Sequence, residues 1–189
     1  MCIRDRCIHI LESCEKAARF GVDVAGVTVN LDNMRRHRDR CVKQLVSGVE
    51  LLLQRAGVTV LRGLGSFLSD HEIAVRGPDL DTVIEADKIV IATGSLPSYP
   101  PIEGIPGEGI WSSDDALALR KVPESMVVIG SGATGMEMAC VYIHLGAKVT
   151  ILEMLDHALP REDRDAAEVV MRTFQKRGGR IETGAKVVR

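Results

Sequence analysis

Three glycines and one acid in the second half of the chain have a spacing that indicates chemistry. Gly130, Gly132 and Gly135 form a G-x-G-x-x-G pattern, and Glu153 follows further along the chain. The first glycine permits a tight turn, the second lets the backbone approach a pyrophosphate, and the third lets a helix pack closely on a strand. The acid can accept hydrogen bonds from both ribose hydroxyls of an adenosine. This set predicts a dinucleotide-binding site.

The segments around the glycines support that prediction. A short β-branched strand is expected over 126–129, a helix over 136–145, and a second strand over 148–152 that ends at Glu153. The amino terminus of such a helix offers free N–H groups and a partial positive charge to phosphates. The competing interpretation, a glycine-rich turn with no ligand, does not explain the acid. Glu153 would repel a 2′-phosphate and has no arginine directly beside it, so NAD(H) is favoured over NADP(H).

Composition narrows the class of protein. The chain has 189 residues, 46% hydrophobic and 26% charged, with a net charge of −2. This balance predicts one large or two small globular domains and argues against a nucleic-acid-binding surface. No apolar run approaches the length of a membrane span, and no metal site is predicted. The five cysteines are an odd number without the close spacing of a secreted scaffold, which favours a cytoplasmic protein with reduced thiols.

The rest of the chain predicts a mixture of helices and strands. A proline- and glycine-rich stretch over 96–110 is expected to connect two bodies. The arginine-rich middle of the long helix is interpreted as a solvated face rather than a nucleic-acid contact, because no aromatic residues accompany it. Helices are predicted over 8–20, 31–54, 113–119 and 163–176, and strands over 22–29, 58–61, 65–68, 72–75, 82–85, 88–92 and 180–182.

Several motifs together resemble a known family. They are Ile-Ala-Thr-Gly-Ser-Leu-Pro at 91–97, the glycine pattern through Glu137, and Val-Thr-Ile-Leu-Glu at 149–153. In this order they resemble the pyridine nucleotide–disulfide oxidoreductase family, and within it the dihydrolipoamide dehydrogenases. The resemblance covers residues 8–189 and implies an α/β fold. It implies part of an FAD-binding domain over 8–120, with the long helix 31–54 and a small β insert at 58–85, and then the first half of a Rossmann-type NAD-binding domain over 121–189.

The resemblance also implies cofactors, site residues and partners. Electrons would pass from dihydrolipoyl groups through a cysteine pair and FAD to NAD+. The partners would be a dihydrolipoyl carrier or a 2-oxo-acid dehydrogenase complex, and the full-length protein would be a homodimer. Gly65 would lie near the adenine of FAD, and Thr93, Gly94 and Ser95 would contact the flavin nucleotide. The implied NAD contacts are Gly130, Gly132, Ala133, Thr134, Gly135, Glu137, Glu153 and Val187.

Three parts of the family pattern are not recognisable: the βαβ fingerprint for FAD, the Cys-x-x-x-x-Cys-Ile-Pro-Ser-Lys run and the later His–Glu pair. Cys2 and Cys7 have the cysteine spacing, but the Ile-Arg-Asp-Arg between them does not match. Residues 1–6 are interpreted as non-native sequence, the chain is expected to be truncated at both ends, and no catalytic residue is assigned. A relative of mercuric reductase or of soluble transhydrogenase, or a non-catalytic NAD-binding module, remains an alternative.

Overall fold

The computed structural model describes residues 3–188, with side chains from Arg6 onward. The chain divides into two compact units. One runs up to Cys41 and resumes at Pro97, and the other comprises Val42–Leu96. The helices are α1 (Ile3–Lys16), α2 (Leu31–Arg55), α3 (Ser113–Ala118), α4 (Ala133–His144) and α5 (Arg164–Lys176), and the strands are β1 (Leu64–Phe67), β2 (Glu72–Gly77), β3 (Leu80–Glu85), β4 (Ser125–Ile129), β5 (Lys148–Leu152) and β6 (Arg180–Glu182).

The first unit contains a parallel sheet in the order β4-β5-β6. The strands are short and β-branched, and β5 buries Val149 and Ile151 beneath the helices. Helix α4 connects β4 to β5, and its Ala139 and Tyr142 are fully buried. The Tyr142 hydroxyl donates a 2.9 Å hydrogen bond to the carbonyl of Ala116, which ties α3 to the core. A strand–helix–strand unit of this kind brings the carboxyl end of β4 and the amino end of α4 together.

An ion-pair cluster attaches α1 to this unit. Glu12 contacts the Nε2 atom of His144 on α4 at 2.9 Å and the Arg177 guanidinium, after α5, at 2.6 Å. His9 and Lys16 of its own helix lie at 3.8 and 3.5 Å. The hydrogen bond from His144 lowers the pKa of Glu12 from 4.5 to about 2, assisted by Lys16 and Arg177 and opposed by partial burial. The ionised carboxylate is therefore favoured by folding.

The second unit holds an antiparallel sheet in the order β1-β2-β3. Gly65 lies on β1 opposite Val75, and the turn between β2 and β3 pairs Gly77 with Leu80. Only Ala74 and Val75 of these strands are buried among the described residues. The sheet lies within the predicted insert 58–85 and begins at Leu64, and the assignment of this segment to an FAD-binding domain stays a prediction.

The prediction of strands over 22–29, 58–61 and 88–92 is wrong. The structure describes these segments as extended or irregular backbone without a ladder. β-Branched residues favour a strand only where a neighbouring strand completes the hydrogen bonds and covers the side chains. Val90 is 88% exposed and Ile91 is 71% exposed, so neither is covered by the described residues.

The other predicted elements are present with small shifts at their ends. Helix α4 begins at Ala133 rather than 136, because Gly132 caps it. The predicted division near residue 120 lies inside the first unit and stays a prediction about domains of the family. Within residues 3–188, no helix combines the length and the apolar character needed to cross a membrane.

Replacing Glu12 should destabilise the first unit in a pH-dependent way. The pKa of Glu12 is lower in the folded state, so its stabilisation is present above about pH 5 and disappears as the pH falls toward about 2. Glu12→Gln should reduce the free energy of unfolding by about 1–3 kcal/mol at neutral pH and by progressively less toward about pH 3. Urea unfolding at several pH values measures this difference.

Glu15→Gln is the matched control, because Glu15 is exposed and, among the side chains that the structure describes, its ion pair is with Nη1 of Arg177 at 3.2 Å. Its effect should stay below about 0.5 kcal/mol at every pH. A Glu12→Gln effect that is independent of pH would contradict the role assigned to the ionised carboxylate.

Candidate functional site

The loop between β4 and α4 starts with a turn that needs a glycine. Gly130 has φ +94°, a conformation that side chains other than glycine rarely adopt. Its N–H donates a 2.8 Å hydrogen bond to the carbonyl of Leu152 at the end of β5. The turn is therefore held against the neighbouring strand just where both strands end.

Gly132 forms the open part of the loop. It is the N-cap of α4, with φ −65° and ψ 176°, and no side chain accepts a hydrogen bond from the helix N–H groups there. A Cβ placed on Gly132 would meet no atom within 4 Å. The missing side chain thus leaves free space in front of the helix amino terminus, where unpaired N–H groups attract an anion.

Gly135 serves the packing of α4 against the loop. A Cβ on this residue would overlap the carbonyl oxygen of Gly130 and lie 3.4 Å from a methyl group of Val128. The backbone oxygen cannot move aside as a flexible side chain could. The three glycines therefore have the separate roles that their spacing predicts: turn, open approach and close packing.

Glu153 is bonded to the glycine loop. One carboxylate oxygen accepts hydrogen bonds from the N–H and the hydroxyl of Ser131, at 2.8 and 2.6 Å. The other oxygen accepts from the N–H of Leu155 at 2.9 Å. The side chains of Ser131 and Glu153 are both buried, with exposures of 0% and 7%. Sequence reasoning assigned Glu153 to ribose binding and missed Ser131, which occupies an unspecified position of the glycine pattern.

These hydrogen bonds decide the charge of the site. Burial raises the pKa of Glu153, but the N–H of Leu155 and the hydroxyl and N–H of Ser131 outweigh burial, so the pKa is lowered. The side chain is thus a fixed anion at the end of β5. The N–H and hydroxyl of Ser131 and the N–H groups of Leu155 and Met154 all donate to this carboxylate, so the fold itself holds the negative charge beside the glycine loop.

A cavity of about 1140 Å³ in the first unit opens onto the glycine loop. Trp111 lines it, with the Lys121 ammonium 5.8 Å from the ring centre. The turn Leu159–Glu162, which sequence reasoning did not assign to the site, lines it as well. The predicted cofactor residues that line the cavity are Gly130, Gly132, Ala133, Thr134 and Gly135.

The remaining predicted contacts lie elsewhere. The cavity lining does not include Glu137 on α4, Glu153 directly after β5 or Val187 after β6. Gly65 lies on β1 in the second unit, and residues 93–95 form exposed backbone after it. Neither described cavity includes these four FAD-assigned residues. The described residues therefore fit a dinucleotide at the glycine loop.

The cysteines and histidines form no redox or metal centre among the side chains that the structure describes. Cys7, Cys14, Cys41 and Cys140 are free thiols. No group of three or more potential metal ligands occurs among the described residues. The predicted non-native segment 1–6 and the Cys2–Cys7 spacing fall in part outside the described residues, although Ile3–Arg6 belong to α1.

The fold and the loop define a Rossmann-type dinucleotide-binding protein of the α/β class. The model of the pyridine nucleotide-disulphide oxidoreductase family matches residues 2–189. The chain therefore belongs to this family, whose members use FAD and NAD(H). The resemblance inferred from the motifs is confirmed.

Known proteins support the same family. Dihydrolipoyl dehydrogenase of Bacillus subtilis is 32% identical over 199 residues, covering 100% of this chain and 43% of that protein. The mitochondrial dihydrolipoyl dehydrogenase of Schizosaccharomyces pombe is 38% identical, covering 90% of this chain and 34% of that protein. A solved structure of the HOCl-induced flavoprotein disulfide reductase RclA from Escherichia coli has a TM-score of 0.79 at 28% identity, covering 100% of this chain and 40% of that one. The chain spans less than half the length of each.

Two glycine substitutions should separate packing from ligand binding. Gly135→Ala forces a Cβ onto a backbone oxygen and should cost about 1–3 kcal/mol of stability. Gly132→Ala meets no protein atom, so its stability should stay within about 0.5 kcal/mol of the wild type while NADH binding weakens about tenfold or more. Thermal unfolding and calorimetric titration with NADH measure the two effects. Unchanged NADH binding by Gly132→Ala would contradict the assignment of the open space to the ligand.

Proposed function

We propose that this chain provides the NAD(H)-binding site of an FAD-dependent dihydrolipoyl dehydrogenase. The observation that carries the proposal is the arrangement of the β4–α4 loop. Gly132 leaves the amino terminus of α4 open, and Ser131 joins the loop to the buried carboxylate of Glu153. A pyrophosphate fits the first feature and an adenosine ribose fits the second.

The residues of the chain would bind and orient the dinucleotide. The N–H groups at the start of α4 would hold the pyrophosphate, and the lack of a side-chain cap leaves them available. The Oε1 atom of Glu153 would accept a ribose hydroxyl, and its negative charge would repel a 2′-phosphate. When bound, NAD+ supplies the acceptor for a hydride.

The relatives that share this part support a proposal for the reaction of the whole protein. Two of them, from Bacillus subtilis and Schizosaccharomyces pombe, are dihydrolipoyl dehydrogenases. Electrons would pass from dihydrolipoyl groups through a disulfide and FAD to NAD+. The partner would be a dihydrolipoyl carrier or a 2-oxo-acid dehydrogenase complex, and the protein would act as a cytoplasmic homodimer.

A second candidate is reduction of a different disulfide or oxidant. The likeness to the flavoprotein disulfide reductase RclA, with a TM-score of 0.79, favours it. A mercuric reductase or soluble transhydrogenase relative and a non-catalytic NAD-binding module remain alternatives from sequence. All of these share the NAD(H) site, so only the electron donor or the absence of turnover separates them.

NADH binding should be visible in the fluorescence of Trp111. This is the only tryptophan of the chain, and it lines the same cavity as the glycine loop, so bound NADH should quench it. NADPH should bind about tenfold more weakly because of the charge of Glu153. The control Trp111→Phe should abolish the quenching and leave the calorimetric affinity unchanged. Equal affinity for NADH and NADPH would contradict the role of Glu153.

The chain should bind NADH without carrying flavin or catalysing turnover. The residues assigned to FAD line neither described cavity, and the described cysteines are free thiols rather than a redox pair. The purified protein should therefore lack the flavin absorption near ~450 nm and show no lipoamide-dependent oxidation of NADH. Stoichiometric flavin together with such turnover would show that the redox centre is within the chain.

A further inference from the structure

The turn after β5 is anchored to the glycine loop. The N–H of Leu159 donates to the carbonyl oxygen of Ser131 at 3.1 Å and lies 3.3 Å from its hydroxyl oxygen. Leu159 has φ +52°, a conformation that costs energy for a branched residue, and its side chain is buried. The N–H of Glu162 closes the turn on the carbonyl of Leu159 at 2.9 Å. The structure thus holds this turn in one conformation beside the dinucleotide loop.

Arg161 lies at the exposed tip of that turn and lines the cavity that also contains Gly132 and Gly135. Across residues 6–188, no carboxylate pairs with its guanidinium and no hydrogen bond occupies it. The neighbouring acid Glu162 also lines the cavity, so the turn has little net charge at long range. Asp163 is used as the N-cap of α5, accepting from the N–H groups of Asp165 and Ala166. The available cation at this side of the cavity is Arg161.

We propose that Arg161 binds the pyrophosphate of the dinucleotide, facing the amino terminus of α4 across the cavity. This inference rests on the proposed NAD(H) site and adds a side chain to a loop that otherwise offers backbone groups. A guanidinium matches two phosphate oxygens with parallel hydrogen bonds, and such charge-assisted bonds are stronger than neutral ones. Because Leu159 is already anchored, the turn loses little backbone entropy when the side chain of Arg161 binds the phosphate.

The test compares Arg161→Gln with Arg164→Gln in the full chain. Arg164 is an exposed arginine three positions later that pairs with Asp156 at 3.5 Å and does not line the cavity. Arg164→Gln therefore removes the same charge outside the cavity. Calorimetric titrations use NADH, ADP-ribose, adenosine and NADPH. Arg161→Gln should weaken NADH and ADP-ribose about five- to twentyfold and leave adenosine, which has no phosphate, unchanged. Arg164→Gln should bind all four ligands like the wild type.

Added salt and a lysine variant sharpen the result. Salt should weaken NADH binding less in Arg161→Gln than in the wild type, because an ion pair has been removed. Arg161→Lys should retain part of the affinity, since it keeps the charge but not the paired hydrogen bonds.

Three results would overturn the inference: unchanged NADH binding in Arg161→Gln, an equal loss in Arg164→Gln, or a loss confined to NADPH, which would assign Arg161 to a 2′-phosphate. A wild-type chain that binds neither NADH nor ADP-ribose would contradict the proposed function itself, and the inference with it.

Discussion

The hydrogen bonds of Ser131 are the constraint on which the site depends. Its N–H and hydroxyl hold Glu153 at the end of β5, and its carbonyl oxygen holds Leu159 in the following turn. Ser131, which is fully buried, thereby connects the glycine loop to the carboxylate of Glu153 and to the turn Leu159–Glu162. That turn lines the cavity. Removing the hydroxyl would leave a buried carboxylate with one fewer partner, which costs more than the lost hydrogen bond alone.

Gly132 and Gly135 contribute to the site through the space that their missing side chains leave. Gly135 lets α4 lie against the carbonyl of Gly130, which places the helix amino terminus close to the strand end. Gly132 leaves the space in front of that terminus empty. Polar contacts thus fix the position of Glu153, while the missing side chain of Gly132 leaves the space that we propose for the phosphates. The dipole of the helix adds a favourable potential for an anion at the same place.

Local sequence was sufficient to predict the secondary structure of the βαβ unit formed by β4, α4 and β5. The periodicity, the glycine pattern and the acid at Glu153 predict β4, α4 and β5 because each of these segments pairs or packs with its sequence neighbour. The segment 88–92 has equally strong β propensity but forms no ladder, since propensity cannot supply a partner strand. Ser131 and Arg161 were missed for a related reason. The importance of Ser131 comes from contacts across the fold, and the position of Arg161 at the cavity comes from the turn that Ser131 anchors, so neither residue type nor spacing encodes them.

The residues assigned to the two cofactors lie in different units of the chain. The residues of the glycine loop, which we propose for NAD(H), lie between consecutive strands of one sheet, so the chain itself assembles the loop. The FAD-assigned residues Gly65 and 93–95 belong to the other unit and line neither described cavity. Membership of the family is established by the match over residues 2–189. The activity of the whole protein is a proposal carried by its relatives.

Amide hydrogen exchange with and without NADH tests the central claim most directly, because it locates binding along the chain. The account predicts that NADH slows exchange in Gly130–Gly135 at the start of α4 and in the turn Leu159–Glu162, with little change in Val42–Leu96. No protection in the glycine loop, or protection confined to Val42–Leu96, would contradict the account.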